Sequence, residues 1–105
     1  MDERQKERLG GYLGIAQRAG KIAAGDTLAK EALLRGKAFL LVLAEDSSPQ
    51  VREELLALVG DELPVLFWPD KCDLGRLVGK SRRGALAVLD SGLAKAMLKV
   101  LAENK

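Results

Sequence analysis

The chain has 105 residues, 48% hydrophobic and 30% charged, which is the composition of one soluble globular domain over residues 1–105. No apolar run approaches the ~18 residues that a membrane helix needs. The charged start Met1-Asp2-Glu3-Arg4 is unlike a signal peptide, so we expect a cytoplasmic protein. A single cysteine, Cys72, excludes an internal disulfide, and the sequence contains no histidine, the commonest metal ligand and general base.

The net charge of +2 hides an uneven distribution along the chain. Residues 1–40 hold eight basic and five acidic side chains. Residues 41–75 hold two basic and eight acidic side chains, and residues 76–105 hold seven basic and two acidic side chains. Two stretches, 8–25 and 76–89, contain no acidic residue. If the fold brings these stretches together, they form a basic face opposite an acidic middle segment, which would suit an anionic partner. The alternative, a chance segregation of solvated charges, stays open at this point.

The first half of the chain predicts helix, strand, helix and strand. A first helix that ends near Gly20 is indicated by apolar residues at the spacing i, i+3, i+4, i+7, namely Leu9, Tyr12, Leu13 and Ala16. A short strand over 21–24 and a helix over about 27–35 follow. The run 38–44 is apolar at every position, so we expect a strand buried on both faces with helices on each side of the sheet.

Caps and prolines mark the next two elements. Ser48 as N-cap and Pro49 in the first turn predict the start of a helix. Prolines at both ends limit a third strand to 63–69. Within it Phe67 and Trp68 point to opposite faces, so we expect one in the core and the other partly exposed.

Asp70 can cap a further helix that Gly79 ends, and a basic loop follows from Lys80 to Gly84. The apolar run 85–89 predicts a fourth buried strand, and Asp90 caps a last helix. Helices and apolar strands thus alternate, which predicts an α/β fold: a three-layer α/β/α sandwich with a four-stranded mixed sheet.

Two segments suggest catalytic chemistry but fit it poorly. Residues 75–81 have three residues between the glycines where a P-loop needs four, and Gly75 lies in a predicted helix. Glu45 and Asp46 follow a buried strand and could hold Mg²⁺ in a phosphoacceptor site, but a solvated turn that helps to cap the next helix explains them better. We therefore expect neither an enzyme nor a cofactor.

Two loops remain as candidate binding elements. Gly25 precedes a helix whose first backbone N–H groups point outward, and such a helix start attracts phosphate. The Lys80–Gly84 loop offers guanidinium groups to a polyanion, although a solvated loop is the alternative. Because aromatic residues are few, structured RNA read by shape fits better than a single strand. The candidate RNA-binding residues are Lys21, Gly25, Asp26, Thr27, Lys30, Lys80, Ser81, Arg82, Arg83 and Gly84.

Several short motifs resemble the L7Ae-like ribosomal protein family, and its bacterial YlxQ-type branch most closely. They occur in the family's order, over nearly the whole chain, at 13–16, 18–21, 25–27, 34–38, 40–48, 63–65, 74–76, 79–80 and 88–94. The resemblance implies a three-layer α/β/α sandwich that binds kink-turn or related structured RNA. It also implies that RNA is held at Gly25-Asp26-Thr27 and at the loop from Lys80 to Gly84.

The sequence departs from the family pattern at three contact positions. Family members usually carry Asn-Glu where this chain has Thr27 and Leu28, and a helix lysine where it has Glu31. We therefore expect phosphate contacts to supply most of the affinity. The hypothesis is a monomeric, ribosome- or translation-associated protein that binds structured RNA, including ribosomal RNA. The alternative is a protein-interaction module of a ribosomal or transcription complex that uses the acidic middle segment.

Overall fold

In the computed structural model, which describes residues 1–103, helices and strands alternate as expected. The helices are α1 (Glu3–Arg18), α2 (Asp26–Leu34), α3 (Pro49–Val59), α4 (Lys71–Leu77) and α5 (Ser91–Ala102). The strands are β1 (Ile22–Ala24), β2 (Leu40–Ala44), β3 (Val65–Trp68) and β4 (Ala85–Val88). Within residues 1–103, no helix is long and apolar enough to cross a membrane.

The four strands form one mixed sheet in the order β1-β4-β2-β3. Strand β4 is antiparallel to both β1 and β2, whereas β2 and β3 are parallel. Strands β1, β2 and β3 therefore finish at the same end of the sheet, where β4 begins. We call this the Gly25 end, because Gly25 follows β1 there.

Helices cover both faces of the sheet, so the predicted three-layer α/β/α sandwich is confirmed. Every residue of β2 and β4 is buried, as a central strand without polar positions requires. One face packs against α1, α4 and α5, with Leu13, Leu74 and Met97 in that core. The other packs against α2 and α3 through Ala29 and Leu55.

Side-chain caps set the predicted helix starts. The Ser48 hydroxyl accepts a hydrogen bond from the Val51 N–H (3.3 Å), and Pro49 is the first helical residue of α3. The Asp70 and Asp90 carboxylates accept from the third residue of α4 and of α5. These caps satisfy N–H groups that a helix cannot pair internally, which is why a short polar residue marks each boundary.

Strand ends are where the structure differs from the prediction. Strand β2 begins at Leu40 instead of residue 38, and Phe39 before it is 44% exposed, so the apolar run is longer than the buried strand. Strand β3 is shorter than 63–69: it begins after Pro64, which has no N–H to donate to β2, and it ends before Pro69.

Trp68 and Asp73 join β3 to α4. Trp68 is fully buried, and its Nε1 donates a hydrogen bond to Asp73 Oδ2 (2.9 Å). Arg76 Nη2 donates to Asp73 Oδ1 (2.6 Å), and Lys6 Nζ of α1 lies 3.7 Å from Oδ2. These hydrogen bonds, from Trp68 first and Arg76 second, hold the pKa of the Asp73 carboxyl below its ordinary value, although partial burial opposes the shift.

Candidate RNA-binding site

Helix α2 presents its backbone N–H groups to solvent at the Gly25 end. Gly25 is the N-cap, and its φ of 104° and ψ of 163° lie in a region that only glycine adopts readily. Its N–H donates to the Ala85 carbonyl (2.8 Å), which ties the helix start to β4. Among the five helices of residues 1–103, α2 alone begins without a side-chain cap. Its first turn therefore keeps N–H groups available to an anion or to an RNA acceptor.

The basic loop from Lys80 to Gly84 is packed against α4. The Lys80 N–H donates to the Gly75 carbonyl (2.9 Å), and the Arg83 N–H donates to the Lys71 carbonyl (3.0 Å). Gly75 is buried, and a Cβ there would overlap the Ser81 carbonyl, so only glycine lets the loop lie this close. The loop therefore has a defined position although most of its side chains are exposed.

The two predicted elements meet, because β1 and β4 are neighbours. A Cβ on Gly25 would lie 3.5 Å from Arg83 Cδ, and a Cβ on Gly84 would lie 3.4 Å from Asp26 Oδ1. The Gly84 carbonyl accepts a hydrogen bond from the Ala44 N–H at the end of β2 (2.8 Å). The fold thus brings the start of α2 and the basic loop into contact.

Between these elements lies a pocket of about 260 Å³. It is lined by Asp26, Ser47, Ser48, Lys71, Arg82 and Gly84. Sequence reasoning missed the two serines and Lys71, which come from the ends of β2 and β3. The only signal for Lys71 was its rarity: it is one of two basic residues in the acidic segment 41–75.

The charges around this pocket are free of ion pairs. Within residues 1–103, the basic members of the ion pairs are Lys6, Arg8, Lys30, Arg35 and Arg76. Lys71, Lys80, Arg82 and Arg83 are not among them. Arg83 Nη1 donates to Ser81 Oγ (3.1 Å) and to the Arg82 carbonyl (2.8 Å), which holds its guanidinium over the loop. Unpaired cations beside helix N–H groups without a side-chain cap give this surface the charge and the donors that suit an anion.

Two of the predicted lysines lie away from the pocket. Lys21 precedes β1 at the opposite end of the sheet, about 13 Å of strand away from Gly25 at roughly 3.3 Å per residue. Its carbonyl accepts from the Leu89 N–H (2.8 Å). Lys30 Nζ lies 2.7 Å from Glu54 Oε2 of α3, so its charge faces that helix. The pair is half exposed and contributes about 0–1 kcal/mol to stability, and it points Lys30 away from the pocket.

One of the two carboxylates after β2, that of Asp46, holds the backbone of the site. Asp46 Oδ1 accepts from the Lys71 N–H (2.9 Å), so it fixes the start of α4 and not, as we expected, that of α3. Arg52 Nη2 donates to the Glu45 carbonyl (2.6 Å). Within the part of the chain that the structure describes, no group of three or more His, Cys, Asp or Glu residues is placed to hold a metal ion.

This chain is similar to a family model and to individual known proteins. Residues 7–98 match the model of the "Ribosomal protein L7Ae/L30e/S12e/Gadd45 family". Large ribosomal subunit protein eL8 of Cenarchaeum symbiosum (strain A) is 38% identical over 85 residues, which cover 79% of this chain and 68% of that protein. RNA-binding protein YlxQ of Bacillus subtilis (strain 168) is 30% identical over 90 residues, which cover 85% of this chain and 90% of that protein. These relatives confirm the resemblance, and eL8 has the higher identity of the two.

Two solved structures have the same fold. A protein of unknown function from Bacillus halodurans C superposes with a TM-score of 0.83 at 27% identity and covers 90% of this chain and 97% of that one. The Giardia lamblia 15.5kD RNA binding protein superposes with a TM-score of 0.82 at 21% identity and covers 98% of this chain and 89% of that one. The second likeness shows the fold alone.

Proposed function

Because the chain belongs to the ribosomal protein L7Ae/L30e/S12e/Gadd45 family, we propose that it binds structured, kink-turn-like RNA in the ribosome or translation machinery. RNA-binding proteins of this family are not enzymes, in agreement with the predicted lack of catalysis. In this proposal residues 1–105 act as one cytoplasmic RNA-binding domain. The observation that carries it is the pocket where the uncapped start of α2 meets Lys71, Arg82 and Gly84.

The pocket has the chemistry of a nucleotide site. Lys71 and Arg82 neutralise phosphate, and the amide groups at the start of α2 donate to its oxygens. The Asp26 carboxylate would repel a bare phosphate, but it accepts hydrogen bonds from a ribose 2′-OH or a base amino group. A site with both functions favours a nucleotide in RNA over a simple anion.

The surface beside the pocket favours shape recognition. Leu28 lies in the first turn of α2 and is 51% exposed, so it offers an apolar contact to a base or ribose. Lys80 and Ser81 are exposed along the loop, where they can follow a phosphate backbone. Phosphate contacts position the protein, and bent RNA brings more phosphates within reach than a straight helix does.

Fluorescence anisotropy at several salt concentrations tests the proposal with a kink-turn RNA and a straight duplex of the same length. We expect tighter binding to the kink-turn. Arg82→Ala, Arg83→Ala and Lys71→Ala should each weaken binding, and each lost phosphate contact lowers the salt slope by about 1. Lys30→Ala is the matched control, because the Lys30 charge faces Glu54.

The outcomes separate the parts of the proposal. Equal affinity for the two RNAs would refute the kink-turn preference while leaving RNA binding intact. Unchanged affinity and salt slope in both Arg82→Ala and Arg83→Ala would show that the loop is merely solvated. A larger loss in Lys30→Ala than in Lys71→Ala would move the site away from the pocket.

A further inference from the structure

Strand β3 leaves one edge of the sheet open. In the sheet formed by the described residues, β3 pairs only with β2. The Pro64 carbonyl accepts from the Leu41 N–H (3.1 Å), and the Trp68 carbonyl accepts from the Glu45 N–H (2.7 Å). Backbone groups alternate in direction along a strand, so those of Val65 and Phe67 point away from the sheet. They are available to an added strand.

The side chain of Phe67 adds an apolar contact to this open edge. Phe67 pairs with Leu43 and stands on the sheet face that α2 and α3 cover, but 43% of it remains exposed. Pro69 has no N–H, so pairing beyond Phe67 is limited and the edge favours a short segment. Sheet edges bind extended peptides through main-chain hydrogen bonds, and side-chain contacts beside the edge, such as one with Phe67, give specificity.

The charge at this edge is acidic. Asp61 and Glu62 lead into β3 and are both exposed. Neither takes part in an ion pair within residues 1–103. They precede β3, and β3 runs toward the Gly25 end of the sheet. Asp61 and Glu62 therefore lie at the opposite end. The edge therefore attracts a cationic partner and repels RNA.

We propose that the β3 edge binds an extended basic peptide of a partner protein. The peptide adds a strand through the backbone of Val65 and Phe67, and its lysine or arginine side chains reach Asp61 and Glu62. This surface is separate from the RNA-binding pocket, so the inference goes beyond RNA binding. A second copy of the chain fits less well, because two-fold pairing would set the Asp61-Glu62 end against Asp70 of the other copy.

NMR titration of the ¹⁵N-labelled full chain tests this inference with a short synthetic peptide that alternates lysine and valine. A peptide with glutamate in place of lysine is the charge control. We expect only the lysine peptide to shift the Val65 and Phe67 amide signals and to slow their hydrogen exchange. Phe67→Ala should weaken binding about fivefold, which corresponds to about 1 kcal/mol. Ile15→Ala removes a similarly exposed side chain of α1, 44% exposed, and should have no effect.

Further variants keep the test independent of folding and of RNA. Asp61→Asn with Glu62→Gln changes only an exposed loop and should weaken binding of the lysine peptide, whereas Arg82→Ala should not. Equal binding of both peptides, or shifts that avoid Val65 and Phe67, would refute the inference. So would a dimer in sedimentation that Phe67→Ala disrupts, because a second copy would then occupy the edge. Protection of the same amides by RNA would also refute it.

Discussion

Gly75 determines where the basic loop lies, so a single methyl group there should disturb both folding and RNA binding. Gly75 is inside α4, where helix propensity alone favours alanine by about 1 kcal/mol. The structure predicts the opposite effect, because an alanine Cβ would overlap the Ser81 carbonyl oxygen. Real Cβ atoms stay at least about 3.0 Å from such an atom. The nearby backbone is part of the loop and cannot rotate away as a flexible side chain would.

The cost follows from what must move. Overpacking of this kind typically costs about 1–3 kcal/mol. Displacing the loop also strains the hydrogen bonds from the Lys80 N–H to the Gly75 carbonyl (2.9 Å) and from the Arg83 N–H to the Lys71 carbonyl (3.0 Å). Each contributes about 0.5–1.5 kcal/mol. After subtracting the propensity gain, we expect Gly75→Ala to lower the free energy of unfolding by about 1–5 kcal/mol, the upper end applying if both hydrogen bonds are lost.

Urea unfolding and RNA anisotropy measure the two consequences. We expect RNA affinity to fall about tenfold in Gly75→Ala, because Arg82 and Arg83 move with the loop; that loss is about 1.4 kcal/mol. Gly11→Ala is the matched control: Gly11 is exposed in α1, and a Cβ there meets nothing within 4 Å. It should stabilise the chain by up to about 1 kcal/mol without changing affinity. If Gly75→Ala behaves like Gly11→Ala in both assays, the packing argument is wrong.

Two further predictions concern a backbone position and a carboxylate. Gly25→Ala should lower the free energy of unfolding by about 1–3 kcal/mol in urea unfolding, because the backbone conformation of Gly25 is essentially confined to glycine. Gly36, at a φ of 68°, is the comparison. A smaller loss of stability in Gly25→Ala than in Gly36→Ala would contradict the prediction. In the folded state the pKa of Asp73 lies below its ordinary value of 3.8. The ionised carboxylate therefore stabilises the fold at pH values above 3.8, and this stabilisation is lost as the pH falls through the lower folded-state pKa. Asp73→Asn should therefore be less stable at pH 7 and lose less stability on acidification, as thermal unfolding between pH 7 and pH 2 can show.

The layered fold could be predicted because local signals and burial agree. Ser48, Asp70 and Asp90 each precede a helix and cap it in the structure. The strands 40–44 and 85–88 have no polar position, and both are buried between helices. Strand ends were less predictable, since Phe39 is apolar yet 44% exposed, and hydrophobicity alone does not reveal where burial stops.

The candidate site was only partly predictable, because contacts between distant segments are not encoded in local patterns. Gly25 and Arg83 could be proposed from their loops, and the antiparallel pairing of β1 with β4 brings them together. Lys71 could not, since its place in the pocket depends on parallel pairing of β2 with β3. Lys30 looked like part of a basic surface, but the packing of α2 beside α3 sets it against Glu54.

The walls of the pocket come from four separate parts of the chain, represented by Asp26, Ser47, Lys71 and Arg82. An unfolded chain holds none of these groups in position, so the pocket is a property of the native state alone. If RNA binds there as proposed, it shifts the folding equilibrium toward the native state by about 2.7 kcal/mol at a free concentration one hundred times Kd. For a chain of this size that is a substantial share of the total stability, so bound RNA would also slow the loss of the folded protein through unfolding.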